Sequence, residues 1–178
     1  DKTIEVRVRT AGEIRYDLVL NGRAVLENAT MSLDVDHTKL GIKPRAIDAT
    51  RRSYDQTVEP VVRQKFARIR DHYNELKVSF EGGYAVVFRA YDEGVAYRFE
   101  TSLGQKQVKI YGEEANFHFS SNFVLYYPQE DSFYSHNERK YLPQHADEIS
   151  PEFIASLPAV IDVGLGAAAG VHRGQPLG

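Results

Sequence analysis

Apolar and polar residues alternate along most of the chain with the period of two that is typical of half-buried β-strands. Residues 4–9, for example, read IEVRVR. The clearest pattern runs from Leu76 to Glu100, where three alternating runs are separated by Gly82-Gly83 and by Asp92-Glu93-Gly94. Glycine turns of this kind join antiparallel strands. The region therefore predicts a three-stranded meander.

A hairpin is predicted near the N-terminus. An apolar run from Ile14 to Leu20 is followed by Asn21-Gly22 and then by Arg23 to Leu26. Asn-Gly accepts the positive φ angles of a type I′ turn, which is the tight turn that two antiparallel strands prefer. Short runs bounded by turn residues predict further strands at Val108–Tyr111, Ala115–Phe119 and Phe123–Tyr127.

Three other stretches have weaker patterns. Val61–Ile69 fits either helical or strand spacing, and its β-branched residues favour a strand. Asp131–Pro158 is polar and interrupted by proline, and it is longer than the roughly 12–15 residues of ordinary loops, so a functional site is expected there. From residue 164 the chain is rich in glycine and alanine. We therefore predict one β-sandwich domain over residues 1–163 and a tail over 164–178.

Composition and charge restrict the function. The chain has 178 residues, 42% of them hydrophobic, which suits one globular domain with a real core. A net charge of -3 gives no electrostatic attraction to nucleic acid or to an anionic membrane, so neither partner is expected. Cysteine is absent, which excludes disulfides, thiolate metal sites and a cysteine nucleophile.

Candidate catalytic groups are present but incomplete. His136-Asn137-Glu138 matches part of the zinc deaminase signature, yet those sites need downstream cysteines. Ser135, His136 and Asp131 lack a motif that would position a triad. Glycosidases need two opposed carboxylates, and the irregular segment offers several without favouring any pair: Glu130, Asp131, Glu138, Asp147 and Glu148. Loop carboxylates are mostly solvated, so no catalytic residue is assigned and no substrate-binding residue is predicted.

Aromatic residues near the same segment have two interpretations. Phe117, Phe119, Tyr126 and Tyr127 would serve as a platform on which a sugar ring stacks, or as part of a sandwich core. Alternating aromatic residues in strands are more often buried, so the core is favoured.

Two motifs carry a family resemblance. Ile69–Leu76 reads IRDHYNEL, and Phe88–Phe99 reads FRAYDEGVAYRF. In this order and at this separation they resemble the N-terminal domain of glycoside hydrolase family 97. The resemblance covers roughly residues 1 to 163 and includes Ser132–Arg139.

The resemblance implies a fold and a role. The implied fold is all-β, an antiparallel β-super-sandwich like that of galactose mutarotase, which would be incomplete at its C-terminal end. In this family the domain packs against a (β/α)₈ barrel that contains the catalytic residues, and it gives one glutamate to a calcium ion. Glu138 matches that position. The expected parent is an α-glucosidase or α-galactosidase that acts on α-linked oligosaccharides, and this chain alone is expected to be inactive.

Alternatives remain at this stage. The chain would also suit a stand-alone carbohydrate-binding module, and less well an enzyme like the aldose epimerases. Arg139 would pair with Glu138 in an ordinary surface ion pair if Glu138 is not a metal ligand. The family resemblance further implies a periplasmic or secreted protein, and an unpaired sheet edge would allow a homo-oligomer.

Overall fold

The structure is a computed structural model, and it describes residues 3–62, 66–104, 107–134, 138–164 and 167–171. The chain forms two compact units, Asp1–His118 and Phe119–Gly178. Among the described residues, no helix has the length and apolar character needed to cross a membrane.

Two antiparallel sheets make up the first unit. Their strands are β1 (Ile4–Arg9), β2 (Arg15–Leu20), β3 (Arg23–Val35), β4 (Thr38–Leu40), β5 (Ala46–Val58), β6 (Ile69–Phe80), β7 (Tyr84–Ala90), β8 (Val95–Thr101) and β9 (Ile110–Asn116). One sheet has the order β1-β2-β3-β4, with β9 also paired to β3. The other has the order β5-β6-β7-β8.

The predicted hairpin and meander are both confirmed. Asn21 and Gly22 have φ angles of 51° and 79° and connect β2 to β3, which is the left-handed backbone that an Asn-Gly turn provides. In the meander, β6, β7 and β8 pair as antiparallel neighbours. Phe88 lies opposite Leu76 on one side and Tyr97 on the other.

Aromatic side chains join the two sheets of the first unit. The ring of Tyr16 on β2 lies 5.8 Å from that of Phe88 on β7 and 6.0 Å from that of Tyr97 on β8. Ile14, Met31 and Phe80 are among its most deeply buried large side chains. This arrangement confirms the predicted all-β, antiparallel sandwich.

Strand β7 is covered on both faces. All residues from Tyr84 to Phe88 are buried, although one face of this sheet carries many charges. On the charged face Val87 lies between Lys77 and Arg98 on the neighbouring strands. Long cationic side chains cover apolar surface with their aliphatic stems while the charged ends stay in water. The charged face therefore still shields an apolar strand.

The second unit is a smaller antiparallel sheet. Its strands are β10 (Val124–Glu130), β11 (Tyr141–His145), β12 (Ile154–Ala155), β13 (Ala159–Gly164) and β14 (Ala167–Val171), with one turn of 3-10 helix at Ala146–Glu148. The strand order is β11-β10-β13-β14, and β12 pairs with β10. Phe123, Tyr127, Ile161 and Val163 are its buried apolar residues.

The predicted strand at Val61–Ile69 was wrong. Only Ile69 belongs to a strand; residues 61, 62 and 66–68 form bends and coil, and residues 63–65 lie outside the described part. Val61 and Val62 are exposed, so no neighbouring strand or core holds them in an extended ladder.

The separate strands predicted at Val108–Tyr111 and Ala115–Phe119 are one strand, β9. Every residue of β9 is exposed, so its sequence lacks the alternation of apolar and polar residues that identifies a half-buried strand.

Two regions are more regular than predicted. Asp131–Pro158 contains β11, β12 and the 3-10 turn, because both edges of β10 offer free backbone groups to pair with. Part of the predicted tail, Ala167–Val171, is strand β14, which pairs with β13. Backbone hydrogen bonds hold such a strand even where its side chains are small.

Candidate functional site

A buried carboxylate lies at the start of the predicted functional segment. Glu130 is the last residue of β10, opposite Ile154 of β12, and its side chain is only 3% exposed. Arg139 Nε donates a hydrogen bond to Glu130 Oε2 at 3.2 Å, and Ser156 Oγ donates to Oε1 at 3.2 Å. A buried charge is costly unless it is paired and hydrogen-bonded, and Glu130 has both kinds of partner.

Arg139 joins this carboxylate to its neighbour. Its Nη2 donates a hydrogen bond to Asp131 Oδ2 at 2.8 Å, while its Nε reaches Glu130. The hydrogen bond to Glu130 and the charge of Asp131 raise the pKa of the Arg139 guanidinium. The structure thus brings together two of the predicted carboxylates, but around a cation rather than across an open gap.

Glu138, the predicted calcium ligand, is exposed and directly precedes Arg139. Ser135, His136 and Asn137 lie outside the described residues, and so do the sequence motifs that depend on them. Within the part of the chain that the structure describes, no three His, Cys, Asp or Glu side chains are grouped to hold a metal ion. Calcium takes six to eight oxygen ligands. An exposed glutamate suits one of those positions, and the others would have to come from elsewhere.

The remaining predicted carboxylates have structural contacts. Glu148 Oε2 accepts a hydrogen bond from His145 N at 3.0 Å, which caps the 3-10 turn. Asp147 donates its backbone N–H to Asn122 Oδ1 at 3.1 Å. Neither contact resembles an opposed acid and base.

The four aromatic residues considered from the sequence divide between the two interpretations. Tyr127 is buried and its hydroxyl hydrogen-bonds to Gln144, whereas Tyr126 is 36% exposed. Phe117 and Phe119 are half-buried.

Sequence reasoning missed another aromatic pair. Phe133 and Tyr134 are 88% and 97% exposed. The signal in the sequence is a pair of consecutive aromatic residues inside a polar, irregular segment. Such a pair does not follow the alternation of buried and exposed residues in a strand, so its burial in a core is not predicted.

A cleft of about 550 Å³ lies in the first unit and is lined in part by Lys39, Lys43 and Arg45. Lys39 Nζ lies 3.1 Å from Glu114, and Arg45 lies 3.6 Å from Glu81. Most of its positive charge is therefore already paired within the domain.

The fold, with two packed antiparallel sheets and a further sheet, defines a β-sandwich domain. The chain belongs to the family of glycosyl-hydrolase 97 N-terminal domains, whose family model matches residues 1–172. The resemblance drawn from the two sequence motifs is therefore confirmed.

Known relatives are much longer than this chain. A retaining alpha-galactosidase of Bacteroides thetaiotaomicron is 27% identical over 176 residues, which cover 93% of this chain and 26% of that protein. Among solved structures, a beta-arabinopyranosidase has a TM-score of 0.77 at 19% identity, covering 94% of this chain and 29% of that one. A family 97 enzyme from Pseudoalteromonas sp. strain K8 in complex with acarbose has a TM-score of 0.71 at 17% identity, covering 89% and 25%. The chain spans about a quarter of each relative's length.

Proposed function

We propose that this chain is the N-terminal supporting domain of a calcium-dependent α-glycoside hydrolase. In this proposal it packs on a catalytic (β/α)₈ barrel of the same polypeptide and gives Glu138 to a calcium ion. The observation that carries the proposal is the family match over residues 1–172, in a chain about a quarter as long as its relatives. The retaining alpha-galactosidase among those relatives supports an α-galactoside as substrate, and an α-glucoside is the alternative.

The calcium part of the proposal depends on Glu138. Glu138 is an exposed residue, and a carboxylate is a ligand that calcium prefers. A single carboxylate is far short of a calcium shell, so this domain alone should bind the ion negligibly. The remaining ligands would come from the barrel, with water completing the shell.

Activity assays test the proposal directly. The isolated chain should hydrolyse aryl α-galactosides and α-glucosides no faster than the background rate, because its described carboxylates form no opposed pair. The complete protein should hydrolyse one of these substrates, and a chelator should reduce that rate. Calcium-stimulated turnover by the purified 178-residue chain would refute the assignment of catalysis to the barrel.

A second candidate is a carbohydrate-binding module, favoured by the exposure of Phe133 and Tyr134. Exposed aromatic rings offer faces for stacking against a sugar. Affinity electrophoresis of the isolated chain in oligosaccharide-containing gels distinguishes the two candidates. Retardation that is lost in the Phe133→Ala, Tyr134→Ala variant, and kept in a Tyr111→Ala control, would favour the module. Unretarded migration supports the supporting-domain proposal.

Two further properties belong to the same proposal. The protein is exported to the periplasm or the exterior, as the family resemblance implies, and cell fractionation tests this. Strand β14 lies at one end of its sheet among the described strands, so its backbone groups offer an edge to a second copy. Sedimentation of the isolated chain would detect such self-association as a concentration-dependent mass.

A further inference from the structure

We propose that strand β5 pairs with β5 of a second copy of this chain, in an antiparallel register centred on Ser53. The two four-stranded sheets would then join across a twofold axis. This surface is distinct from the β14 edge, and the inference goes beyond the proposed function because it needs neither the calcium ion nor the barrel.

The outer edge of β5 is open in the part of the chain that the structure describes. The strand lies at one end of the order β5-β6-β7-β8, and it has thirteen residues against seven in β8 at the other end. Every residue of β5 is exposed except Tyr54, which is half-buried. Such an edge presents backbone N–H and C=O groups with which another strand can pair. The only irregularity in its pairing with β6 lies between Ala46 and Asp48, so residues 48–58 form a regular edge without proline.

The charges along β5 are self-complementary about Ser53. Facing residues in an antiparallel pair lie on the same face of the sheet, so two identical strands pair symmetrically with one residue on the axis. With Ser53 on the axis, Arg51 faces Asp55 of the second copy, and symmetry repeats this ion pair. Arg52 faces Tyr54 in the same way, which places a guanidinium beside an aromatic ring.

Both members of the expected ion pair are accessible. Arg51 is exposed, and its guanidinium has no ion-pair partner among the residues that the structure describes. Asp55 accepts hydrogen bonds from Arg70 Nε and Nη2 at 2.8 Å and 2.7 Å, yet its side chain is still 55% exposed. A carboxylate has about four lone-pair sites, so Asp55 can accept from a second arginine as well.

Other symmetric registers are less favourable. Either arginine of β5 on the axis would set like charges directly opposite each other, which destabilises a strand pair. Tyr54 on the axis gives no ion pair between the copies. Thr50 on the axis would pair Asp48 with an arginine, but that register depends on the irregular end of the strand. The register centred on Ser53 aligns the whole regular edge, residues 48–58.

Exchange of charges tests the register. The 178-residue chain is studied by sedimentation velocity, and far-UV circular dichroism checks that each variant is folded. Arg51→Asp and Asp55→Arg each turn two opposite-charge pairs into like-charge pairs, so each variant alone should have a self-association Kd raised about 10-fold or more. An equimolar mixture of the two variants should associate as tightly as wild type, because opposite charges then face each other at both positions. The double variant should also regain the wild-type Kd.

A control variant and three outcomes decide the matter. Arg7→Asp makes the same change of charge on β1, which lies at one end of the other sheet, and it should leave the Kd unchanged. A wild-type chain that stays monomeric at all concentrations overturns the proposal. Single variants that associate as tightly as wild type also overturn it and place the contact elsewhere, such as at β14. A mixture that fails to recover association overturns the register and the proposal with it.

A cysteine experiment decides the case in which a charge variant does not fold. The chain lacks cysteine, so Ser53→Cys introduces a single thiol on the axis. Facing Cα atoms of paired strands are about 4.5–5.5 Å apart, which a disulfide can span. Thr57→Cys lies on the same face of β5, but eight residues along the strand would separate it from its counterpart by about 27 Å. Mild oxidation should cross-link Ser53→Cys into a dimer and leave Thr57→Cys monomeric, and equal yields of dimer from the two would overturn the proposal.

Discussion

The turn between β6 and β7 contains two glycines that differ in their surroundings. Gly82 and Gly83 have φ angles of 89° and 74°, a backbone region that side chains other than glycine rarely adopt. A Cβ atom on Gly83 would lie 2.7 Å from the carbonyl oxygen of Ser102, whereas one on Gly82 would meet nothing within 4 Å. Alanine substitution at the two positions therefore separates backbone strain from close approach.

The expected magnitudes follow from these distances. Left-handed backbone costs an alanine about 1–2 kcal/mol, and the less flexible unfolded chain offsets about 0.4–1 kcal/mol of that in both variants. Gly83→Ala adds a clash with a backbone atom that cannot rotate away, since Ser102 N also donates to Gly83 O at 2.7 Å. Overpacking of this kind costs about 1–3 kcal/mol more. Gly82→Ala should thus lose about 1 kcal/mol of stability, and Gly83→Ala about 2–4 kcal/mol.

Urea unfolding of the chain, followed by far-UV circular dichroism, measures both losses. Tyrosine fluorescence provides a second signal, because the sequence contains 11 tyrosines and no tryptophan. The same difference should appear as a melting temperature that is lower in Gly83→Ala, by about 2–4 °C for each kcal/mol. Equal destabilisation by the two alanines would mean that β7 and β8 do not approach as closely as described, and would refute this reasoning.

Two more predictions concern a core residue of the second unit and a surface ion pair of the first. The side chain of Ile161 is 1% exposed. In thermal unfolding, Ile161→Ala should therefore destabilise the second unit by about 2–5 kcal/mol, and Ile161→Val by only about 0.5–1.5 kcal/mol. Equal losses of stability in the two variants would contradict the burial of Ile161. In the first unit, the hydrogen bond from Arg9 lowers the pKa of the Asp17 carboxyl. The ion pair therefore stabilises the fold above the ordinary carboxyl pKa, and this stabilisation is lost as pH falls through the lowered pKa. Urea titrations should show wild type and Asp17→Asn converging in stability as pH falls from 6 towards 2, and a constant gap would argue against the pair.

Local sequence signals predicted the parts of the fold that depend on neighbouring residues. The Asn21-Gly22 turn and the glycine turns of the meander need positive φ angles, which only a few residue types accept, so the residues themselves identify the turns. Alternation then fixes which residues of the joined strands share a face. This information lies in one short stretch of sequence in each case.

Long-range pairing could not be predicted in the same way. Strand β9 pairs with β3, placing Ala115 opposite Met31, and no local pattern connects positions so far apart. Its middle reads Gly112-Glu113-Glu114, which looks like a turn because the exposed strand carries no apolar alternation. Tertiary context overrides intrinsic preference in such strands.

The candidate site was predicted only in outline. The pattern predicts that Asp131–Pro158 holds the functional residues, and Glu138 is assigned from the family resemblance rather than from its chemistry. Loop carboxylates are usually solvated, so Glu130 was not distinguished from the others. Its burial depends on Arg139 and Ser156, which come from separate parts of the segment, and nothing in the residue types alone indicates that they meet.

In the proposed function, Glu138 is a calcium ligand of a larger glycoside hydrolase. The most direct measurement is the calcium Kd of the complete enzyme and of its Glu138→Gln variant, by calorimetric titration. Glu152→Gln, which neutralises another exposed carboxylate of the same unit, is the matched control. Because calcium affinity depends on the number of charged ligands, Glu138→Gln should raise the Kd at least about 10-fold while Glu152→Gln leaves it unchanged. Equal calcium Kd values for wild type and Glu138→Gln would contradict the account.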